Sequence, residues 1–292
     1  MTHTIKSDYL QVSIEQKGME LCSIKNLETN KEYLWQGDSQ FWTGQAPNLF
    51  PIIGLLKDHR TKIDGVEYAI PKHGIVRHSE KAVVLNHDSN SITFQLKWDN
   101  QTLKVYPFRF VLELTFRIDG KRLELHHLVK NEGDISMGFH LGGHPAFNCP
   151  VSDEVKYSDY SIEFEHPENS VSWLLNGDGL ITDQSKPIFD NSSVLGLNEY
   201  LFDEDALIFR DLKSRSATLK SDHSGSILRV EYPDFPYLGI WAKPKAPYVC
   251  IEPWIGIADH IESSGDFMTK EALQLLEPKS EKEFQYSITI LV

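Results

Sequence analysis

The chain has 292 residues, 29 basic against 42 acidic side chains, a formal charge of −13 and a 40% hydrophobic share. This length can bury an extended core without staples, and the composition is that of an ordinary globule, not a disordered or fibrous chain. The deficit of positive charge argues against nucleic acid or an anionic membrane as the main partner, since both need a basic face. A neutral small molecule suits that balance better than a polyanion does.

Cys22, Cys149 and Cys250 contain no CxxC spacing, so neither a disulfide framework nor a zinc knuckle is expected. The start, Met1 to Asp8, lacks the basic and apolar stretches of a secretory signal. No window approaches the roughly 18 apolar residues of a membrane span. The expected location is the cytoplasm.

In chain order, residues 10–15 read as a strand and Asp38–Trp42 as a turn, with a further strand at 81–86. Ile92, Phe94, Leu96 and Trp98 then alternate strictly with polar residues, the period of a half-buried strand. Phe108, Phe110, Leu112, Leu114, Phe116 and Ile118 repeat the pattern, Asp119-Gly120 supplies a two-residue turn, and Leu123, Leu125 and Val129 resume it. A hairpin over 108–130 follows. Further strands are expected at 160–165, 206–210, 226–232, 237–242, 248–252 and 284–292. Asn176-Gly177-Asp178-Gly179 and Asp234-Phe235-Pro236 mark turns between them. The best helical piece is short, around 270–276. With no linker and no repeat, residues 1–292 are expected to form a single all-β domain, a large antiparallel β-sandwich. The unpaired edges of such a sandwich are compatible with a monomer or a homodimer.

Four segments place polar groups where a strand core would not. His73-Gly74 and Arg77 follow Pro71-Lys72, as if a loop presented donors to a cleft. In Gly142-Gly143-His144-Pro145, two residues without side chains let the backbone bring an imidazole close to another group, and the proline stiffens the exit. Asp203-Glu204-Asp205 leads into an apolar strand. In Tyr248-Val-Cys-Ile-Glu252-Pro-Trp254, alternation puts Glu252 on one face with Tyr248 and Cys250. A carboxylate in that setting is costly to ionise, so its pKa should move up toward the range of a general base. Taken alone, the His73 loop and the acidic cluster read first as a surface loop and a solvated strand entrance, while the His144 and Glu252 segments read as readily as a packed histidine and a strand-end carboxylate.

Metal binding is not expected. His140 and His144 have helical spacing across a Gly-Gly that resists a helix, His126-His127 point to opposite strand faces, and neither HExxH nor a cupin pattern is present. No Gly-x-Ser-x-Gly elbow offers a nucleophile. Glycoside hydrolysis needs two carboxylates, for which Glu252 and Asp205 remain candidates.

Taken together, His73-Gly74, Gly143-His144-Pro145-Ala-Phe147-Asn148, Asp205-Ala-Leu-Ile and Ile251-Glu252-Pro-Trp254 resemble the aldose 1-epimerase (galactose mutarotase) family in order and spacing, over nearly the whole chain. The run Tyr232–Trp241 is similar to the bacterial branch associated with lactose and tagatose-pathway operons. The resemblance implies a β-sandwich with a sugar, or sugar phosphate, in an open cleft and no cofactor. It implies Glu252 as general base at the anomeric hydroxyl and His144 as general acid at the ring oxygen. His73, Asp205 and Arg77 are implied as sugar-binding residues, Arg77 as in the branch nearer hexose 6-phosphate mutarotases. Opening a hemiacetal ring needs an acid and a base on two oxygens of one carbon, so a protonated His144 opposite an ionised Glu252 is the expected starting state. One departure stands out. Where galactose mutarotases carry a sugar-binding arginine ahead of the Asp64-Gly65 turn, this chain has Leu55. Lys57 or Arg60 is the candidate replacement, and Lys57, Arg60 and Arg77 together are a candidate phosphate cluster. A binding or regulatory protein on the same scaffold, without turnover, is the alternative.

Overall fold

Alternating apolar residues over 91–130 build the centre of one sheet in a computed structural model, which describes residues 1–151 and 155–292. Phe110, Leu112, Leu114, Phe116 and Ile118 face inward, essentially without exposure. Their strand, Phe110–Asp119, pairs antiparallel with Arg122–Asn131 on one side and Ser91–Lys97 on the other. The hairpin turn is Gly120-Lys121, one residue later than expected, because Asp119 pairs with Arg122. Gly120 supplies the positive φ (55°) that this turn needs at its first central position. Val83–His87, Glu281–Ile290, Gly225–Glu231, Ser216–Ser221, Tyr160–Glu168 and Ser192–Gly196 extend the sheet to nine strands, all antiparallel.

A second antiparallel sheet faces it. Its central strand, Tyr248–Ile255, is buried along its whole length. One neighbour is Tyr237–Trp241. The other is split into Leu141–Gly143 and Ala146–Asn148, with His144-Pro145 outside the regular ladder between them. The sheet continues through Leu207–Phe209, Val171–Leu175 and Ile181–Pro187 on one side and ends at Asn48–Leu49 on the other. Phe209 meets Phe164 across the gap between the sheets, and Phe139, on the short separate strand Met137–Phe139, packs against Phe284 of the first sheet. Gly143 lies so close to Tyr286 that a Cβ there would fall 2.5 Å from the phenol oxygen. This is the all-β antiparallel sandwich that the alternation predicts. Three strands over Thr2–Asn26 form a smaller sheet of their own. No helix among the described residues is long and apolar enough to cross a membrane.

The expected helix around 270–276 does not form. Ala272 takes a left-handed φ of 59°, which no helix tolerates, and Gln274–Leu276 pairs as a strand with Met137–Phe139. Only a single 3-10 turn, Phe267–Thr269, precedes it. Strands such as Ile181–Pro187 and Ser216–Ser221 were not visible as alternating runs. Ile181–Pro187 is mostly exposed beyond Ile181, so no buried stripe marks it, and its neighbour Val171–Leu175 holds it in place.

His127 is buried between the sheets, stacked on Tyr286 at 5.8 Å, with neither ring nitrogen hydrogen-bonded. Burial pushes its pKa down to about 3, whereas an unfolded histidine titrates near 6.5. As pH falls between those values, only the unfolded chain takes up this proton, so stability drops across that window. His127→Leu should therefore flatten the fall in urea midpoint between pH 7 and pH 4; a slope identical to the parent's would refute this.

Candidate functional site

The break in the strand pairing creates the site. His144 sits at the interruption, its N–H donating to Pro47 O at 3.1 Å, while Ile251 N donates to Pro145 O at 3.2 Å. Gly142 and Gly143 let this segment lie against Trp254 and Tyr286, where a Cβ would clash at 2.8 and 2.5 Å. Directly across, Glu252 projects from the central strand beside Trp254. His144 Nε2 stands 3.2 Å from Glu252 Oε2, and the carboxyl is 1% exposed. The approach angle leaves Glu252 Oε2 without a formed hydrogen bond, and His144 Nδ1 and Trp254 Nε1 are likewise buried and unpartnered. Three orphaned polar atoms around one opening are unusual in a folded protein unless a polar ligand completes them.

A third group approaches from the loop before residue 78. Gly54 and His73 exchange two hydrogen bonds: His73 N donates to Gly54 O at 2.9 Å, and Gly54 N donates to His73 Nδ1 at 3.2 Å. Because Nδ1 accepts, the neutral ring carries its proton on Nε2. His73 holds a left-handed φ of 65°, and the next residue, Gly74 at 83°, is packed so tightly that a Cβ would lie 2.0 Å from Phe50 O. Asp205 is also left-handed, at 75°, its Oδ1 accepting from Ala206 N at 2.8 Å. Such conformations cost energy and persist where surrounding structure imposes them.

His73, Arg77, His144, Asp205 and Glu252 line one cleft of about 240 Å³. Five candidates drawn from four distant segments therefore share one opening. Lys57 and Arg60 do not join them: Lys57 Nζ donates to Ser263 O at 3.4 Å and Arg60 pairs with Glu67 at 3.1 Å, around a separate surface depression. They replace no cleft arginine and form no cluster with Arg77. Leu55 carries its side chain toward Gly179. The cleft also contains Lys72, Trp42 and Trp241, which the sequence reading did not single out. Lys72 had one signal, its place beside His73; the two tryptophans had none, because only folding brings residues 42 and 241 to the same ring.

That ring is the imidazole of His144. Trp42 lies 4.9 Å from it at 32°, Trp241 5.8 Å away at 82°, and His73 5.7 Å away at 86°. Burial pushes the His144 pKa down to about 3, and the charges of Arg77 and Lys72 act in the same direction. Burial pushes Glu252 well above the usual carboxylate range; Lys72 opposes this and Asp205 adds to it. His73 is also held well below 6.5, first by burial and then by its cationic neighbours. Burial thus favours a neutral imidazole beside a protonated carboxyl, not the ion pair expected from the sequence, because desolvation penalises both charges.

His144, Cys250 and Glu252 place a nitrogen, a sulfur and an oxygen within 4.8 Å of one another, the one such group among the described residues that could hold a metal ion. His140 is apart from it, its Nε2 donating to Glu271 O at 2.9 Å and its ring pressed on Gly256.

The sequence profile described as Aldose 1-epimerase matches residues 1–273. The chain belongs to the aldose 1-epimerase family. It is 37% identical to the plasmid and chromosomal LacX proteins of Lactococcus lactis subsp. lactis, over 100% of both chains. Among solved structures it resembles a galactose mutarotase related enzyme from Lactobacillus acidophilus (34% identity, TM-score 0.95, covering 100% of this chain and 98% of that one). It also resembles a galactose mutarotase-like protein from Lactobacillus casei (28%, TM-score 0.93, 100% of each). A putative aldose 1-epimerase from Escherichia coli, at 18% identity and TM-score 0.77, shares the fold. Sugar epimerisation is the chemistry of this family, and the sandwich is its scaffold.

In this family member the aromatic wall sets the protonation of the site. Trp42→Ala should admit water to one face of the imidazole and raise the His144 pKa from about 3 toward 6.5. Imidazole nitrogen shifts followed by NMR across pH 3–8 would show it; an unmoved titration would refute the burial argument.

Proposed function

We propose that the protein is an aldose 1-epimerase that interconverts the α and β anomers of a hexose or hexose phosphate. The observation that carries this reading is the 3.2 Å approach of His144 Nε2 to Glu252 Oε2 at the wall of a cleft. The two oxygens that exchange protons in ring opening share one carbon, so their acid and base must stand side by side. A glycosidase needs two carboxylates separated across the bond it cuts; here the neighbour of Glu252 is an imidazole, and Asp205 lies exposed at the rim.

The proton balance follows from the pair. Neutral imidazole with protonated carboxyl, and imidazolium with carboxylate, hold the same number of protons and differ by one short transfer. In the second form Glu252 takes the proton from the anomeric hydroxyl while His144 gives one to the ring oxygen. The C1–O5 bond breaks and an aldehyde forms at C1. Rotation about C1–C2 presents the other carbonyl face, the C5 hydroxyl adds back, and each residue recovers the proton state it began with. Sugar hydroxyls donate and accept hydrogen bonds at the pair and so favour the charged form. His73 offers its Nε2–H to a hydroxyl, Asp205 accepts from one, and Arg77 donates at the rim.

Glu252→Gln and His144→Ala should each lower kcat for anomer interconversion by about 10²-fold or more, with the far-ultraviolet circular dichroism of the parent. Polarimetry on freshly dissolved α-glucose, α-galactose and their 6-phosphates is the measurement, and undiminished rates in either variant would remove the mechanism. Wild-type protein that binds hexoses in calorimetry yet never speeds mutarotation would select the non-catalytic binding alternative. The acid limb offers a second check. The pair loses function on gaining a second proton, and His144 resists this down to about pH 3. Hence kcat/KM should not fall between pH 7 and pH 5, where an ordinary histidine near 6.5 would protonate; a fall centred at 6.5 would contradict the burial argument.

A further inference from the structure

Lys270 is the one buried lysine or arginine among the described residues, and its partner Asp259 is equally enclosed. Their side chains are 3% and 4% exposed. Burial opposes the charge on Lys270, and Asp259 supports it. Such a pair is a weak source of stability, because the cost of desolvating two charges can exceed their attraction. What it supplies is a fixed position, and the contacts of Asp259 show which. One carboxylate oxygen takes the Lys270 ammonium, and the other accepts from Lys57 N at 2.9 Å. The Asp259 N–H donates to Leu55 O at 2.8 Å. Ala258, one residue earlier, lies against Gly54, where a Cβ would fall 2.5 Å from its methyl carbon. Lys270 in turn is tied to the core. Its N–H donates to Phe267 O at 3.1 Å, and Phe267 packs on buried Tyr106 with ring centroids 6.0 Å apart.

Gly54 is where this framework meets the cleft. It exchanges with His73 the two hydrogen bonds that hold that residue, and the bond from Gly54 N to Nδ1 leaves the ring proton on Nε2. Gly54, His73 and Ala258 line the cleft, while Asp259 and Lys270 are not among its lining residues. We propose that Asp259, braced by Lys270, is a positioning residue for His73. By fixing residues 54–57 it keeps the His73 proton on the nitrogen left free for a sugar hydroxyl, and so governs sugar binding. It makes no hydrogen bond or ion pair with His144 or Glu252, so their proton exchange does not pass through it. The effect on sugar rests on the mutarotase reading; the effect on the His73 ring does not.

The test uses Lys270→Met as a common background, so that loss of the carboxylate strands no buried ammonium. In that background Asp259→Asn keeps a carbonyl oxygen for Lys57 N, and Asp259→Leu offers none. Nitrogen NMR of the imidazoles, with His73 assigned through His73→Gln, reads the tautomer directly. The parent and the Asn variant should show an unprotonated Nδ1 and a protonated Nε2, and the Leu variant a mixture of tautomers. Mutarotation of glucose and galactose should show KM raised about tenfold in the Leu variant, with kcat within about threefold of the parent. The Asn variant should bring KM back to within about threefold of the parent. A folded Leu variant with the parent's tautomer and KM would overturn the proposal, as would equal losses in the Leu and Asn variants, the mark of a merely structural pair. Should the Leu variant not fold, Asp259→Ala in the same background takes its place with the same outcomes. In the parent itself, a protonated Nδ1 on His73 would overturn the proposal with no variant needed. Absence of turnover in the parent would instead overturn the mutarotase reading, and the His73 tautomer in the Asn and Leu variants would still decide the role of Asp259.

Discussion

An imidazole and a carboxyl held in contact without water is the constraint on which the rest of this structure depends. Solvated separately, His144 and Glu252 would be ordinary titrating groups on either side of neutrality. Packed together beneath Trp42, Trp241 and Trp254, they are driven by burial toward their neutral forms, His144 downward and Glu252 upward in pKa. A sugar brings hydroxyls in place of bulk water, so it supplies both the substrate atoms and the solvation that the pair lacks.

The sandwich serves that contact by breaking its own rules at one place. A strand pairing that ran unbroken from residue 141 to 148 would turn His144 into one more ladder residue. The interruption at His144-Pro145 frees the imidazole, while the pairing on either side of it fixes its position to the same strand that carries Glu252. Gly142 and Gly143 permit the approach of the surrounding rings, and Gly74 permits the sharp path that delivers His73. These are costs to stability accepted where geometry matters, in line with the left-handed backbone at His73 and Asp205.

Charge is distributed with similar economy. The molecule is acidic overall, yet Lys72 and Arg77, which form no ion pair among the described residues, line the same cleft as His144. Their charges act at short range, because distant charges are screened within about 8–10 Å at physiological ionic strength. Burial depresses His73 and His144 first, and Lys72 and Arg77 act in the same direction.

Period-two alternation over 92–130 was enough to determine the all-β class, because a half-buried strand must alternate and no other element does. Four short motifs, read together, pointed to the family and to His73, Arg77, His144, Asp205 and Glu252, which line one cleft, since polar residues stood there where packing would not place them. The polar edge strands, the strand at Gln274–Leu276 and the register of the Gly120-Lys121 turn were decided only by tertiary pairing, which acts through partners distant in sequence and leaves no local pattern. Tertiary structure alone also separated Lys57 and Arg60 from the cleft, brought Lys72, Trp42 and Trp241 into it, and favoured the neutral form of the His144–Glu252 pair. Proximity and desolvation are properties of the folded arrangement, and no residue type or spacing encodes them.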